Sequence, residues 1–338
     1  MSPLHSPLAG VPLIPGIIPG LLPVNPPGAA RSAPAPSAPG APSGAPPSAP
    51  SPLSRAFRDA LGGGVPGAAA MGVQVTALMW LRTTMNYQYR TGATLAVAMR
   101  ALYADGGARR FYAGYPAAMI QAPLSRFGDT AANAGTLSLL AADPATADLP
   151  VAVKTASASL AAAAFRSALM PVDTVKSMLQ AHGTRAGADL LRAKFTTGGP
   201  AVLFHGALGA SAATFAGHYP WFVVYNTLTA RFPSAPRGPD GARAESQVAE
   251  LSRAAAIGFA ASVASDTTSN ALRVLKTVRQ VSERDVGYVA SARAILAAEG
   301  PAGLFGRGLK TRLLANGLQG VLFSVAWRLG QEIGRAHV

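Results

Sequence analysis

Three segments of this sequence repeat one another at nearly regular distance. Ala77-Leu-Met-Trp-Leu-Arg82-Thr-Thr-Met-Asn86 aligns with Pro171-Val-Asp-Thr-Val-Lys176-Ser-Met-Leu-Gln180 and with Ala271-Leu-Arg-Val-Leu-Lys276-Thr-Val-Arg-Gln280. The basic residues at 82, 176 and 276 are separated by 94 and 100, and an amide stands four residues beyond each. Downstream, Asp105-Gly106, Thr197-Gly198 and Glu299-Gly300 recur. Nine residues after the first member of each pair comes a glycine, Gly114, Gly206 or Gly308, at separations of 92 and 102. Two markers with matching spacing describe three copies of one helix–loop–helix unit, placed at 65–142, 148–233 and 246–336.

Composition sets the solvent in which such units fold. The 29 basic and 15 acidic residues leave a net charge of +14, yet charged side chains are only 13% of the 338 residues, against about 25% in an ordinary soluble domain. Six stretches rich in Ala, Val and Leu (66–87, 113–141, 149–180, 203–232, 246–280 and 308–333) each exceed the ~20 residues needed to cross a bilayer. None is uniformly apolar, so each is expected to turn a polar stripe away from lipid. Residues 1–62 differ: 16 of the 28 prolines lie in 1–52, with Arg31 the only charge before Arg55. That composition supports a disordered tail. The absence of cysteine removes disulfides, thiolate metal sites and a cysteine nucleophile. The five histidines (His5, His182, His205, His218, His337) lack metal-ligand spacing. No phosphate-cradling glycine loop or nucleophile–base pair is readable. The basic residues are dispersed among apolar spans rather than gathered in a stripe, which argues against nucleic-acid binding. The reading is neither an enzyme nor a metal or cofactor protein.

Pro171-Val-Asp-Thr-Val-Lys176 followed by Gln180, with Glu299-Gly300 leading through Leu304-Phe305 to Arg307-Gly308, resembles the two halves of the mitochondrial carrier signature. The resemblance covers 66–333. It implies an all-α membrane protein of six tilted transmembrane helices, in three tandem repeats about a pseudo-threefold axis, with a short surface helix inside each repeat. Residues 92–104, 186–194 and 287–298 suit those surface helices. Segments 88–110, 181–201 and 281–303 carry nine basic residues. The opposite loops, 142–149 and 233–247, carry only Arg237 and Arg243, a positive-inside bias that fits the matrix side.

The resemblance also implies site residues. A matrix gate is formed in the family by the acid of one repeat pairing with the base of the next. Here Arg82, Lys176 and Lys276 supply the bases, whereas Met79 and Arg273 replace two acids, leaving Asp173 to pair with Lys276. Asn86, Gln180 and Gln280 stand where a glutamine braces the ring. On the even helices Ala132-Asn133, Tyr225-Asn226 and Trp327-Arg328 supply no acid for a cytosolic ring. Ten helical residues, about 15 Å, separate the gate bases from Gly72, Arg166 and Asp266 near mid-bilayer, where an ionisable residue points to function. Substrate contacts are therefore expected at Arg166 and Asp266, and on the even helices at Gln121, Thr214, Asn316 and Arg126; an Arg166–Asp266 ion pair joining two helices is the structural alternative. Arg126, Arg166 and Lys154 favour an anionic solute, while Asp129 and Asp266 leave room for a zwitterion. His218 beside Tyr219-Pro220-Trp221 reads as a packed interfacial cluster. Gly114, Gly206 and Gly308, helped by Arg307, are expected to hold a cardiolipin-like anionic lipid at helix N-termini.

The function implied is alternating-access transport, as by an antiporter, of a small polar anionic or zwitterionic metabolite across an organellar inner membrane. The chain is then a multi-pass monomer of the mitochondrial inner membrane, or of a plastid envelope, with a small-molecule solute and membrane lipid as partners. Degenerate gates motivate the alternative, a transport-inactive membrane adaptor or assembly subunit on the same fold.

Overall fold

The computed structural model describes residues 64–233 and 247–336; the proposed tail and the Arg237/Arg243 loop fall outside the described residues. Helices account for nearly everything, and no strand occurs among the described residues. The first segment runs α1 (Gly64–Thr91), α2 (Leu95–Ala104), the single turn α3 (Gly107–Arg110) and α4 (Tyr115–Ala142). A one-turn link, α5 (Pro144–Ala147), leads to α6 (Val151–Ala168), α7 (Met170–His182), α8 (Thr184–Gly198), a 3-10 turn (Gly199–Phe204) and α9 (Ala207–Arg231). The third segment comprises α10 (Gln247–Val281), α11 (Tyr288–Gly306) and α12 (Leu309–Ala336).

One expected element divides. The stretch 149–180 is two helices, α6 and α7, because Pro171 at the start of α7 has no N–H to give and its ring crowds the preceding turn. Ala77 and Ala271 stand at the matching positions of the other segments, and there α1 and α10 run through unbroken.

Glycines close the three segments on one another. Gly114, Gly206 and Gly308 precede α4, α9 and α12 with φ of +76°, +99° and +64°, a region that a Cβ disfavours. A Cβ at Gly206 would stand 2.7 Å from Gln280, one at Gly308 2.7 Å from the Tyr89 ring, and one at Gly114 3.1 Å from Leu179 and from the Lys176 carbonyl. Each segment thus presses on the next and the third returns to the first. The carbonyl three residues before each glycine is held from within its own segment: Thr83 Oγ1 donates to Phe111 at 2.6 Å, Thr174 Oγ1 to Leu203 at 2.7 Å and Asn270 Nδ2 to Phe305 at 2.8 Å.

Three cations complete the circuit by capping the C-terminal carbonyls of α7, α10 and α1. Arg110 donates to Gln180 (3.0 Å) and Ala181 (3.3 Å), Lys194 to Gln280 (3.4 Å) and Ser282 (2.7 Å), and Arg307 to Tyr89 (3.0 Å) and Arg90 (3.4 Å). A cation at a helix C-terminus is favoured by both the free carbonyls and the macrodipole. Asp105 and Glu299 orient Arg110 and Arg307 in turn.

The long helices are apolar outward and polar inward. On α9, Leu208, Phe215, Tyr219 and Val223 are exposed while Thr214, His218 and Trp221 face the interior cavity. On α6, Val153 and Leu160 are exposed while Ser159 and Arg166 face inward. This reverses the arrangement of a water-soluble bundle. The inward polar residues also dilute hydropathy along each helix: among the described residues, no helix is long and apolar enough to cross a membrane.

Candidate functional site

The helices enclose a cavity of about 400 Å³. Its floor is a ring contributed by α1, α7 and α10, which contact one another. Asp173, 7% exposed, sits in the first turn of α7, where the signature proline opens the helix. It accepts from Lys176 Nζ at 2.7 Å and forms a still closer ion pair with Lys276. Gln280 Nε2 adds a bond to Asp173 (3.2 Å) and another to Thr174 Oγ1 (3.0 Å). The expected Asp173–Lys276 bridge is present, and Lys176 joins it from the same helix.

The other two corners of the ring are built differently. Between α1 and α7, Asn86 hydrogen-bonds Gln180, whose Nε2 also lies 3.5 Å from the sulfur of fully buried Met79. An amide pair and an apolar plug take the place of a bridge. Between α10 and α1, Tyr89 Oη donates to Asn270 at 3.3 Å, while Arg82 and Arg273 both face the cavity.

One layer beyond the ring, His182 joins the ends of all three helices. Its Nε2 lies 2.7 Å from the Val281 carbonyl at the end of α10, and its Nδ1 lies 2.9 Å from Arg90 Nη1 at the end of α1. The carbonyl can only accept and the guanidinium can only donate, which selects the neutral Nε2–H tautomer. Burial pushes the His182 pKa below its ordinary value, and Arg90 and Arg110 act the same way against the pull of Glu283 and the Val281 bond.

Toward the middle of the bundle, Asp266 is 4% exposed and turns to α12. Arg312 Nε donates to it at 2.6 Å, Asn316 Nδ2 forms a short bond, and Arg273 Nη2 lies 3.8 Å away. The alternative Arg166–Asp266 ion pair is therefore replaced by one between Asp266 and Arg312, which sequence reading missed. Arg312 stands one helical turn before Asn316, so the same inward face carried the signal.

Arg166, Asp266, Gln121, Thr214 and Asn316 all line the cavity; the side chain of Arg126 lies outside the described residues. Gln121 links the two levels, accepting from Lys176 Nζ (3.2 Å) and donating to Ser125 (2.9 Å). Lys154, expected to favour an anion, instead turns away and donates to the Ala147 carbonyl at 2.6 Å. The cluster expected around His218 splits. Tyr219 is exposed, whereas His218 lines the cavity within 2.7 Å of Ser159 Oγ. Gly114, Gly206 and Gly308 serve the contacts between segments, and Arg307 is engaged by Glu299 and the end of α1.

The described residues contain no group of histidines and carboxylates suited to a metal ion. Described cavity walls bear guanidinium, ammonium, amide and hydroxyl groups around two carboxylates, which suits reversible binding of a charged solute. The family model described as mitochondrial carrier protein matches residues 147–235, which span α6 to α9. No curated protein matches the chain.

Proposed function

We propose, on the premise that this chain belongs to the mitochondrial carrier family, that it moves a small polar solute, anionic or zwitterionic, across an organellar inner membrane by alternating access. The carrying observation is a polar cavity inside a bundle with an apolar exterior, bounded on one side by the Asp173–Lys276 ring. Six long helical passages, with the α6–α7 pair counted as one, would hold that cavity at mid-membrane. Their polar faces are sheltered from lipid by one another, which is how charged residues are tolerated at that depth. Solute exchange then requires the α1–α7–α10 ring to open while the other end closes. In this reading Arg166 contacts the solute, with Gln121, Thr214 and Asn316 completing its surroundings. The inner membrane is that of a mitochondrion, or of a plastid.

Family members are transporters rather than enzymes, and the chain is read accordingly. The adaptor reading draws on Met79 and Arg273 standing where the ring would have acids. The two are separated by reconstitution: Arg166→Ala should abolish solute uptake into proteoliposomes while leaving the unfolding transition in place. Uptake by the variant at the parental rate would remove Arg166 from the site. A wild-type protein that exchanges no solute would leave the adaptor.

A further inference from the structure

The corner between α10 and α1 carries a charge reversal that the rest of the ring does not balance. Arg273 stands three residues before Lys276, as Asp173 stands three before Lys176. In cyclic order the base it would meet is Arg82. Both side chains face the same cavity, and both lie within electrostatic reach of Arg312. Where one corner has a carboxylate between two lysines, this one gathers three guanidiniums, with Arg82 and Arg273 each beside Arg312.

The local charge does not cancel. Asp266 is the carboxylate that Arg312 and Arg273 share, and it is already saturated by Arg312 and Asn316. Arg82 reaches no carboxylate among the described residues. Asp173 is likewise divided between Lys176 and Lys276. Leaving Arg166 aside, five cations face two carboxylates across the described cavity lining. Like charges gathered in a partly desolvated space repel strongly, and guanidinium groups pair with carboxylate or phosphate oxygens two at a time.

We infer that Arg82, Arg273 and Arg312 form a binding site for a solute group with at least two negative charges, a phosphate, a pyrophosphate or paired carboxylates, which takes the place of the missing ring carboxylate. This rests on the carrier reading and narrows it, setting the zwitterion aside. The solute itself completes the α10–α1 corner, so occupancy and closure at that corner are one event. A singly charged or zwitterionic solute leaves the corner repulsive.

The test is thermal unfolding of the purified full chain with pyrophosphate, citrate, acetate or alanine, at ionic strength matched with sodium chloride. Pyrophosphate or citrate should raise the midpoint by about 5–10 °C at a hundredfold excess over Kd, and acetate and alanine should not. Arg273→Gln should lose most of that rise. Arg273→Glu, which sets a second carboxylate beside Asp266, should lose it entirely. A rise of equal size in both variants, or an equal response to acetate or alanine, overturns the site. Stabilisation by an anion that no proteoliposome exchanges sinks transport and leaves the site standing; uptake of alanine without any anion response does the reverse.

Discussion

Asp173→Asn isolates the electrostatic part of ring closure. The asparagine keeps the shape and an acceptor oxygen for Gln280, but Lys176 and Lys276 lose their shared counter-ion. Their side chains are 17% and 18% exposed and that of Asp173 is 10% exposed. Removing one partner of a buried ion pair costs about 3–5 kcal/mol, mostly from the charge left behind; partial exposure places this case near 3 kcal/mol. At roughly 2–4 °C per kcal/mol for a chain of this size, the midpoint should fall by on the order of 10 °C. Differential scanning fluorimetry in detergent reads that shift. The double variant Asp173→Asn/Lys276→Gln removes one orphaned ammonium together with the carboxylate, so it should recover about half of the loss. A single variant within 2 °C of the parent, roughly 1 kcal/mol, would refute the reasoning. So would a double variant less stable than the single, since the lysines would then be no burden to each other.

Gly206→Ala should cost about 2–4 kcal/mol. The Cβ would stand 2.7 Å from Gln280 at φ +99°, which combines left-handed strain with overpacking; Gly135→Ala, with nothing within 4 Å, is the control and should be neutral or stabilising in the same melt. His182 makes stability depend on pH. Its folded pKa lies below the ordinary value, so the unfolded chain takes the proton first. Its contribution is intact above pH ~6.5 and is lost as the pH falls through that value. His205 is shifted the same way by burial, so the measurement is the difference between the parent and His182→Gln in melts from pH 7.5 to 5.5. A parental slope retained in His182→Gln would exclude the layer it forms with Arg90 and Val281.

Residues that meet through a short-range rule were legible in the sequence. The Asp173–Lys276 pair follows from the resemblance, which couples the acid of one repeat to the base of the next, and the glycine spacing alone marked 114, 206 and 308. Pro171 was legible too, but only as part of a motif, whereas the division of 149–180 follows from its missing N–H. Arg312 was legible as a member of the inward face of α12, one turn before Asn316, but its pairing with Asp266 was not, because that depends on how far α12 is rotated about its axis against α10. The capping cations were hidden for another reason. Arg307 precedes its glycine by one residue, Arg110 precedes Gly114 by four and Lys194 precedes Gly206 by twelve. Three different sequence positions thus reach one geometric role, and an alignment of the repeats cannot register them.

That relocation explains how a ring with one bridge can still close. Helix ends need their carbonyls satisfied whatever the charge pattern inside the ring, and Arg110, Lys194 and Arg307 supply this from outside it. With the ends tied from segment to segment, the three inner corners are free to differ. One holds by ion pairing through Asp173, one by amide contact and the buried Met79, and the third by the Tyr89–Asn270 bond and the apolar packing of Met85 and Tyr89 with Val274, beside the gathered guanidiniums. The Asp173 ion pairs and the Asn86–Gln180 contact are made within the chain, so a solute gains little by touching them. Under the proposed anion site, the third corner is where binding free energy from an anion is converted into closure.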